Sequence, residues 1–417
     1  MLLHSFVCLA AFCALAAGFW TPFASAKTKQ KGHFKIDQVP NGVTRRNGPA
    51  EYAFAHLKYG LEVPDGLAKA ASRFSKLSSA DGPGGSSEVP AWAQEFDIEY
   101  LSPVMVGDPG QLVFLNFDTG SSDTWMYSSE TFVGHMAGQR FYSPEKSSTS
   151  ERIKNATWSI LYGDGSSANG IAYRDLMSIG DLLIPNMTIQ TASYVSSMIM
   201  QDLNMSGLAG LCINHPSTVG PRQPSLLDML EPILEEHVFT ADLRHRDTGR
   251  YRFGKVDKED YVGDIKWAAM NKTSKYWQFD LNGIHVGDDP NWYFATWPMI
   301  LDTGTTLMLV QPDLAEMYYS KVPGATYDDW FASYSFPCNQ SGALPDWEFD
   351  IAGLRGKVPG RYFNYQNISA TECYGGIQPF PVDLGFGILG DVFLKAVLAV
   401  FDVQNKTVGF ANKELKA

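Results

Sequence analysis

The sequence predicts an all-β chain folded as two similar lobes with a cleft between them, and three observations predict it. First, the 417 residues include 38 Gly, 23 Pro and 19 Tyr, and only 19% are charged, a balance that favours turn-rich β-structure over helical bundles. Second, short alternating apolar runs, such as Phe96-Asp97-Ile98-Glu99-Tyr100-Leu101 and Tyr251-Arg252-Phe253-Gly254-Lys255-Val256, are broken about every eight to twelve residues by Gly, Asn, Asp or Pro. Third, one phrase occurs twice: Phe117-Asp118-Thr119-Gly120-Ser121-Ser122 and Ile300-Leu301-Asp302-Thr303-Gly304-Thr305-Thr306. Gly207-Leu208-Ala209-Gly210 ends 92 residues after Asp118, and Gly387-Ile388-Leu389-Gly390 ends 88 residues after Asp302. Matched motifs at matched separations indicate an internal duplication. Two lobes that each bring one Asp to their junction make a cleft, the usual place for a site.

Taken in order, the chain opens with a processing signal. Residues 2–19 are mostly apolar or small, and Ala24-Ser25-Ala26 is a small-x-small cleavage site, so residues 1–26 are expected to be a secretory signal peptide. The alternative, a membrane anchor, is opposed by Pro22 and the cleavage site. Residues 27–85 hold ten Lys/Arg and five Asp/Glu, which leaves 23 basic against 40 acidic groups in residues 86–417, a net of −17. A basic arm beside an acidic body suggests that one docks on the other. A nucleic-acid arm or a plain solvated linker would carry the same charge, but Tyr52-Ala53-Phe54-Ala55-His56-Leu57-Lys58-Tyr59 has enough apolar content to fold onto something. Ser78 to Ser87 is rich in Ser, Gly and Pro and is expected to be an exposed linker open to proteolysis. The acidic excess suits work in acid, where carboxylate repulsion falls. The body is divided at residue 275, with an N-terminal lobe over 86–275 and a C-terminal lobe over 276–417. Helices are expected from Ser225 to Glu236 and from Pro312 to Lys321, the latter opening on Pro. The hydrophilic C-terminus excludes a lipid-anchor signal, so no membrane anchor is expected.

Cys8 and Cys13 leave with the signal peptide, so Cys212, Cys338 and Cys373 give one pair and one odd thiol. Spacing alone does not choose the pair. Cys338 and Cys373 are preferred because both lie in turn-rich sequence, and Cys212, after Leu208-Ala209-Gly210-Leu211, reads as a buried free thiol. Seven Asn-x-Ser/Thr sequons, at Asn155, Asn186, Asn204, Asn271, Asn339, Asn367 and Asn405, are glycosylation candidates in a secreted chain. The eight His are scattered without metal-ligand spacing. No phosphate loop, Ser-His-Asp signature or cofactor motif is present, so neither a metal nor a cofactor is expected.

Asp118 and Asp302 are the candidate pair for chemistry if the two copies of the phrase face each other. Each follows a run of large apolar residues, where a carboxylate is costly unless hydrogen-bonded or paired. Two carboxylates about 3–4 Å apart cannot easily both ionise, so one holds a proton that the other lacks. Tyr162-Gly163-Asp164-Gly165, flanked by Ile160-Leu161 and Ile171, has a hairpin-turn sequence.

These residues resemble the pepsin-type aspartic endopeptidases, and most of all the secreted acid proteases of fungi. The resemblance covers essentially the whole chain and rests on Asp-Thr-Gly motifs about 180 residues apart, each with its apolar flank and later apolar-apolar-Gly. It implies a bilobal pepsin-like fold with Asp118 and Asp302 as the catalytic pair. Thr119 and Thr303 would bond across the lobe junction, Gly120 and Gly304 would let backbone approach the carboxylates, and Ser121 and Thr305 would hydrogen-bond their outer oxygens. Ile160-Leu161-Tyr162-Gly163-Asp164 resembles the flap that closes over substrate, and Trp125 matches the Trp that hydrogen-bonds the flap Tyr. Asp164 would bond substrate or accept a basic side chain. Cys338 and Cys373 match the second-lobe disulfide; Cys212 has no counterpart. Leu57-Lys58-Tyr59-Gly60 resembles the prosegment stretch whose Lys reaches the catalytic pair, making the propeptide an intramolecular inhibitor. The function so implied is a secreted, monomeric acid endopeptidase made as a zymogen. It would cut polypeptide substrates between large apolar residues, with no nucleic-acid partner. The alternative is a fold of this kind used for binding without catalysis, but such proteins usually lose an Asp or the motif's Gly, and both motifs are intact.

Overall fold

A computed structural model describes residues 33–37, 39–40, 48–70, 100–161, 167–197 and 199–415. The signal peptide, the linker at residues 78–87, Phe96 to Glu99 and the hairpin turn at Tyr162, Gly163 and Asp164 lie outside the described residues. Among the described residues the chain is all-β and bilobal, with four sheets and a few short helices.

An antiparallel six-stranded sheet runs in the order Phe34–Asp37, Arg250–Phe253, Val238–Asp242, Val397–Asp402, Thr407–Asn412, Val262–Ala269. It draws strands from both sides of residue 275 and so ties the two halves together. Its edge strand belongs to the basic arm. Phe34 and Ile36 are buried while Lys35 and Asp37 are exposed, and the Phe34 ring stacks on Phe253 at 4.7 Å. The arm adds a strand because its period-2 pattern matches the apolar face it covers.

Each half also has its own sheet. The eight-stranded sheet of the first half carries Gln111–Asp118, Gly207–Gly210 and Thr124–Tyr127 side by side, and the seven-stranded sheet of the second carries Tyr293–Leu301, Gly387–Leu389 and Met308–Val310 in the same relation. A smaller four-stranded sheet sits beside the second. There Cys373, on the strand Glu372–Gly375, is bridged to Cys338 in the turn that follows Ser333–Pro337.

The helices are shorter than their apolar spacing suggests. Ser225 caps Leu226–Leu230 through a reciprocal bond with Asp228. The helix stops there because Pro232 has no N–H to offer the Asp228 carbonyl. Ile233 and Leu234 instead donate to the Leu230 carbonyl at 3.0 and 3.1 Å. Pro312–Tyr319 opens on its Pro as expected and ends two residues before Lys321. The helix Gly48–Lys58 belongs to the basic arm. Among the described residues no helix is long and apolar enough to cross a membrane.

The Cys338–Cys373 bridge closes a loop with a sequence separation of 35. Loop-closure entropy puts its worth at about 3–4 kcal/mol. The double variant C338S/C373S is expected to lose roughly that much in urea denaturation; an unchanged midpoint would show that the small sheet holds without it.

Candidate active site

Asp118 is the last residue of its strand and pairs in parallel register with Gly210, while Thr124–Tyr127 returns antiparallel on the other side of Gly207–Gly210. In the second half Leu301 pairs in parallel with Leu389, and Met308–Val310 returns in the same way. The Leu211 N–H bonds the Asp118 carbonyl at 2.7 Å, and the Asp302 N–H bonds the Leu389 carbonyl at 3.3 Å. These contacts explain the second repeated motif. A Cβ on Gly210 would lie 2.5 Å from Ser122 Cα, and one on Gly390 would lie 2.1 Å from the Thr305 carbonyl oxygen. Only glycine lets backbone pass so close to each Asp turn.

The two turns are cross-bonded. The Thr119 N–H donates to Thr303 Oγ1 and the Thr303 N–H to Thr119 Oγ1, both at 3.0 Å. The Thr119 hydroxyl then donates to the Leu301 carbonyl at 3.0 Å and the Thr303 hydroxyl to the Phe117 carbonyl at 2.5 Å. Each hydroxyl thus accepts from the N–H of the opposite Thr and donates to a carbonyl of the opposite strand. All four groups are buried, where such bonds are expensive to leave unmade.

Above this cross-bond the carboxyls face each other. The Gly120 N–H bonds Asp118 Oδ1 at 2.8 Å and the Gly304 N–H bonds Asp302 Oδ1 at 3.0 Å. Ser121 Oγ donates to Asp118 Oδ2 at 2.5 Å, and Thr305 Oγ1 donates to Asp302 Oδ2. Each glycine also lies against the other lobe's carboxylate: a Cβ on Gly120 would be 2.5 Å from Asp302 Oδ1, and one on Gly304 2.3 Å from Asp118 Oδ1. The ammonium of Lys58, at the end of its helix, sits on both, 2.9 Å from Asp118 Oδ1, 2.9 Å from Asp302 Oδ1 and 2.8 Å from Asp302 Oδ2. Tyr59 Oη adds a bond to Asp302 Oδ2 at 2.7 Å.

This uneven set of partners separates the two groups. Burial pushes Asp118 up to about 6, with the Lys58 charge opposing it. Burial acts on Asp302 in the same sense, but Lys58 and hydrogen bonds from Asp118, Lys58 and Thr305 hold it down at about 2. Burial would lower Lys58, but the two carboxylates outweigh it and raise it. Asp302 is therefore the ionised partner and Asp118 the one that retains a proton more readily.

The arm's helix fills the space between the halves. Tyr52, Ala55 and Tyr59 pack with Ile300, Leu309 and Phe380 on one side, and Phe54 packs against the cluster of Trp125 and Trp158 on the other. Trp125 is buried, its ring 6.0 Å from Trp158. The structure thus brings Asp118, Asp302, the Thr, Gly, Ser and Thr that follow them, and Lys58 into one cluster, with Trp125 beneath the wall. Tyr59 is the residue that sequence reasoning missed: it adjoins Lys58, but no spacing marks its hydroxyl as a partner of Asp302. Cys212 is free and buried, with its Sγ 3.1 Å from the Lys275 carbonyl oxygen. Of the seven sequon asparagines, Asn204 is half-buried and the other six are exposed. Among the described residues no group of three or more His, Cys, Asp or Glu is placed to hold a metal ion.

Residues 99–413 match the family model for eukaryotic aspartyl protease. Podosporapepsin of Podospora anserina is 40% identical over 399 residues, covering 92% of each chain. Endothiapepsin of Cryphonectria parasitica is 36% identical over 386 residues, covering 92% of this chain and 91% of its own. Among solved structures, an aspartic proteinase from Irpex lacteus superposes with a TM-score of 0.62 at 24% identity, over 76% of this chain and 95% of that one; at that identity the likeness speaks to fold.

The Thr cross-bond can be tested through stability alone. T303V removes the donor to the Phe117 carbonyl and the acceptor of the Thr119 N–H, leaving two buried groups unmatched, at a cost of about 2–4 kcal/mol. T303S keeps both bonds and is expected to stay near the parent in chemical denaturation. Equal stability of T303V and the parent would remove the cross-bond from the account of how the turns are held.

Proposed function

The chain belongs to the eukaryotic aspartyl protease family and is a peptide hydrolase, and from that premise we propose a secreted acid endopeptidase made as a zymogen, with Asp118 and Asp302 as its catalytic pair. The observation that carries this reading is the juxtaposition of the two buried carboxyls, one from each copy of the repeated turn, bound to a single lysine of the basic arm.

With the arm gone, the pair would hold a water where the Lys58 ammonium now sits. The ionised carboxylate takes a proton from that water, which attacks the peptide carbonyl carbon, while the protonated partner donates to the carbonyl oxygen. The tetrahedral diol then collapses: one of its hydroxyls returns its proton to the ionised carboxylate as the C=O re-forms, the C–N bond breaks, and the amine leaves with the proton of the other carboxyl, so the pair again holds one proton. Ser121 and Thr305 favour ionisation by donating to the outer oxygens, and the Thr119–Thr303 cross-bond keeps the carboxyls facing each other. The segment around Tyr162, Gly163 and Asp164 would close over the substrate, with Trp125 steadying it. The apolar walls that now receive Tyr52, Phe54 and Tyr59 would receive large apolar side chains beside the scissile bond.

Secretion is supported by the leader at residues 1–26 and by the disulfide, which suits an oxidising compartment. The exposed sequons would carry sugar there, and the enzyme would act as a monomer on polypeptides. Residues 27–85 would be the propeptide, docked through its edge strand and through Lys58, followed by the two lobes.

The sign of the pH dependence follows from the docked pair. Asp302 sits at about 2 beside Lys58, below the ordinary carboxyl value of 3.8, so its contribution to docking is present above that value and is lost as pH falls toward 2. Asp118 is raised to about 6 by burial while Lys58 lowers it, so its attraction for the ammonium is present above that value and is lost as pH falls below about 6. Net release at the pair is therefore expected below about pH 4. Self-processing of the precursor should be fast at pH 3 and slow at pH 5, followed by N-terminal sequencing of the product near residue 86. After acid activation, D118N and D302N are each expected to lose at least about 100-fold in casein hydrolysis, and a statine-type inhibitor should block the parent. Full activity in either variant would sink the assignment.

A further inference from the structure

Outside the carboxyl pair, the arm makes one other contact whose chemistry points to a substrate group. Strands Thr326–Asp328 and Ser333–Pro337 form a hairpin at the edge of the four-stranded sheet, and Trp330 stands at its tip, 53% exposed. Asp328 Oδ1 accepts the backbone N–H groups of Trp330 at 2.8 Å and Phe331 at 3.1 Å, which fixes the turn and the start of the indole side chain. Asp329, next to it, is exposed. The arm runs beneath this tip. A Cβ on Gly66 would lie 1.6 Å from the Trp330 carbonyl oxygen, so backbone meets backbone there. Leu67 is fully buried in the apolar cluster that also holds Tyr59, Ile300 and Phe380, which puts this stretch on the same wall as the catalytic pair. Two residues on, the Lys69 ammonium lies 4.7 Å from the centre of the Trp330 ring.

We propose that the face of Trp330, with Asp329 beside it, is a subsite for a basic side chain of the polypeptide substrate, occupied in the precursor by Lys69. The inference rests on the peptidase reading above. An indole face attracts a cation through its ring quadrupole, and most strongly among the aromatic side chains. A neighbouring carboxylate adds to that attraction and also discriminates against an apolar group of the same length, which would stack on the ring but gain nothing from the charge. The body's net of −17 acts in the same direction at longer range. Because Asp328 Oδ1 is taken up by the turn, the exposed Asp329, adjacent to Trp330 in the chain, is the carboxylate assigned to an incoming cation. Lys69 shows that a chain passing along this wall can lay an ammonium on the indole while its neighbour Leu67 fills the apolar cluster.

The test uses the acid-activated enzyme and peptides with one apolar cleavage site. Lys, Arg, norleucine and Gln are placed in turn at each of about four positions on either side of the scissile bond, at pH 5, where ordinary carboxylates are ionised. At one position Lys or Arg is expected to raise kcat/KM roughly 3- to 10-fold over norleucine, a gain that shrinks with added salt. W330L and D329N should each reduce that ratio toward one. The ratio is taken within each variant, so a general change in activity cancels. No basic preference at any position in the parent, equal gains from norleucine and lysine, or a ratio that survives both substitutions would overturn the proposal. Failure to cut even the norleucine peptides would overturn the peptidase reading beneath it.

Discussion

The structure depends on keeping two carboxyls buried and close together. Asp118 and Asp302 are almost fully withdrawn from water, and an uncompensated buried charge there would cost several kcal/mol. Nearly every neighbouring feature answers that cost. The glycine amides and the Ser121 and Thr305 hydroxyls supply hydrogen bonds, and the parallel strands hold the turns so that those donors point inward. Gly210 and Gly390 remove the side chains that would block the strands. The Thr119–Thr303 cross-bond fixes one turn against the other, so neither lobe can shift without stranding a buried N–H or carbonyl.

A symmetric scaffold would give two equivalent carboxyls, and chemistry needs them different. In the docked state the difference comes from the arm. Lys58 bonds both oxygens of Asp302 but one of Asp118, and Tyr59 bonds only Asp302. Ionisation is therefore concentrated on Asp302. The same ammonium that separates the pair also fills the space between them, so one contact both polarises the pair and occupies its cleft.

Much of this was legible in the sequence because duplication makes physical constraints visible. An Asp after an apolar run is ambiguous once; repeated with Thr-Gly, two hydroxyls and a later apolar-apolar-Gly, it describes a strand, a turn and the strand beside it. The parallel register of Asp118 with Gly210 and of Leu301 with Leu389 is the geometric content of those separations. Lys58 was legible through family resemblance, since no local pattern marks a lysine as a plug. Tyr59 and Trp330 were not, because their partners lie 243 residues away or on an arm whose path no periodicity specifies. The helix at Ser225 was read too long because its apolar spacing continues through Leu234, whereas Pro232 ends the backbone ladder.

The charge contrast between arm and body suggested that electrostatics holds them together, and the structure narrows where. Among the described residues, the arm's ion pairs with the body outside the catalytic pair include His33 with Glu235 at 2.8 Å and Asp37 with Arg250 at 3.9 Å. Both involve half-exposed or exposed side chains, and such pairs contribute little once solvated and screened. The apolar contacts of Phe34, Ile36, Tyr52 and Tyr59 are large but have no pH dependence of their own. Lys58 is different. Its side chain is only 6% exposed, against 2% for Asp118 and 0% for Asp302, so its pairing is weakly screened and its loss would strand charge in the interior. Acid sensitivity of docking would therefore enter mainly through the carboxyl pair itself, so the groups proposed for catalysis would also be the ones that respond to acid when the arm leaves.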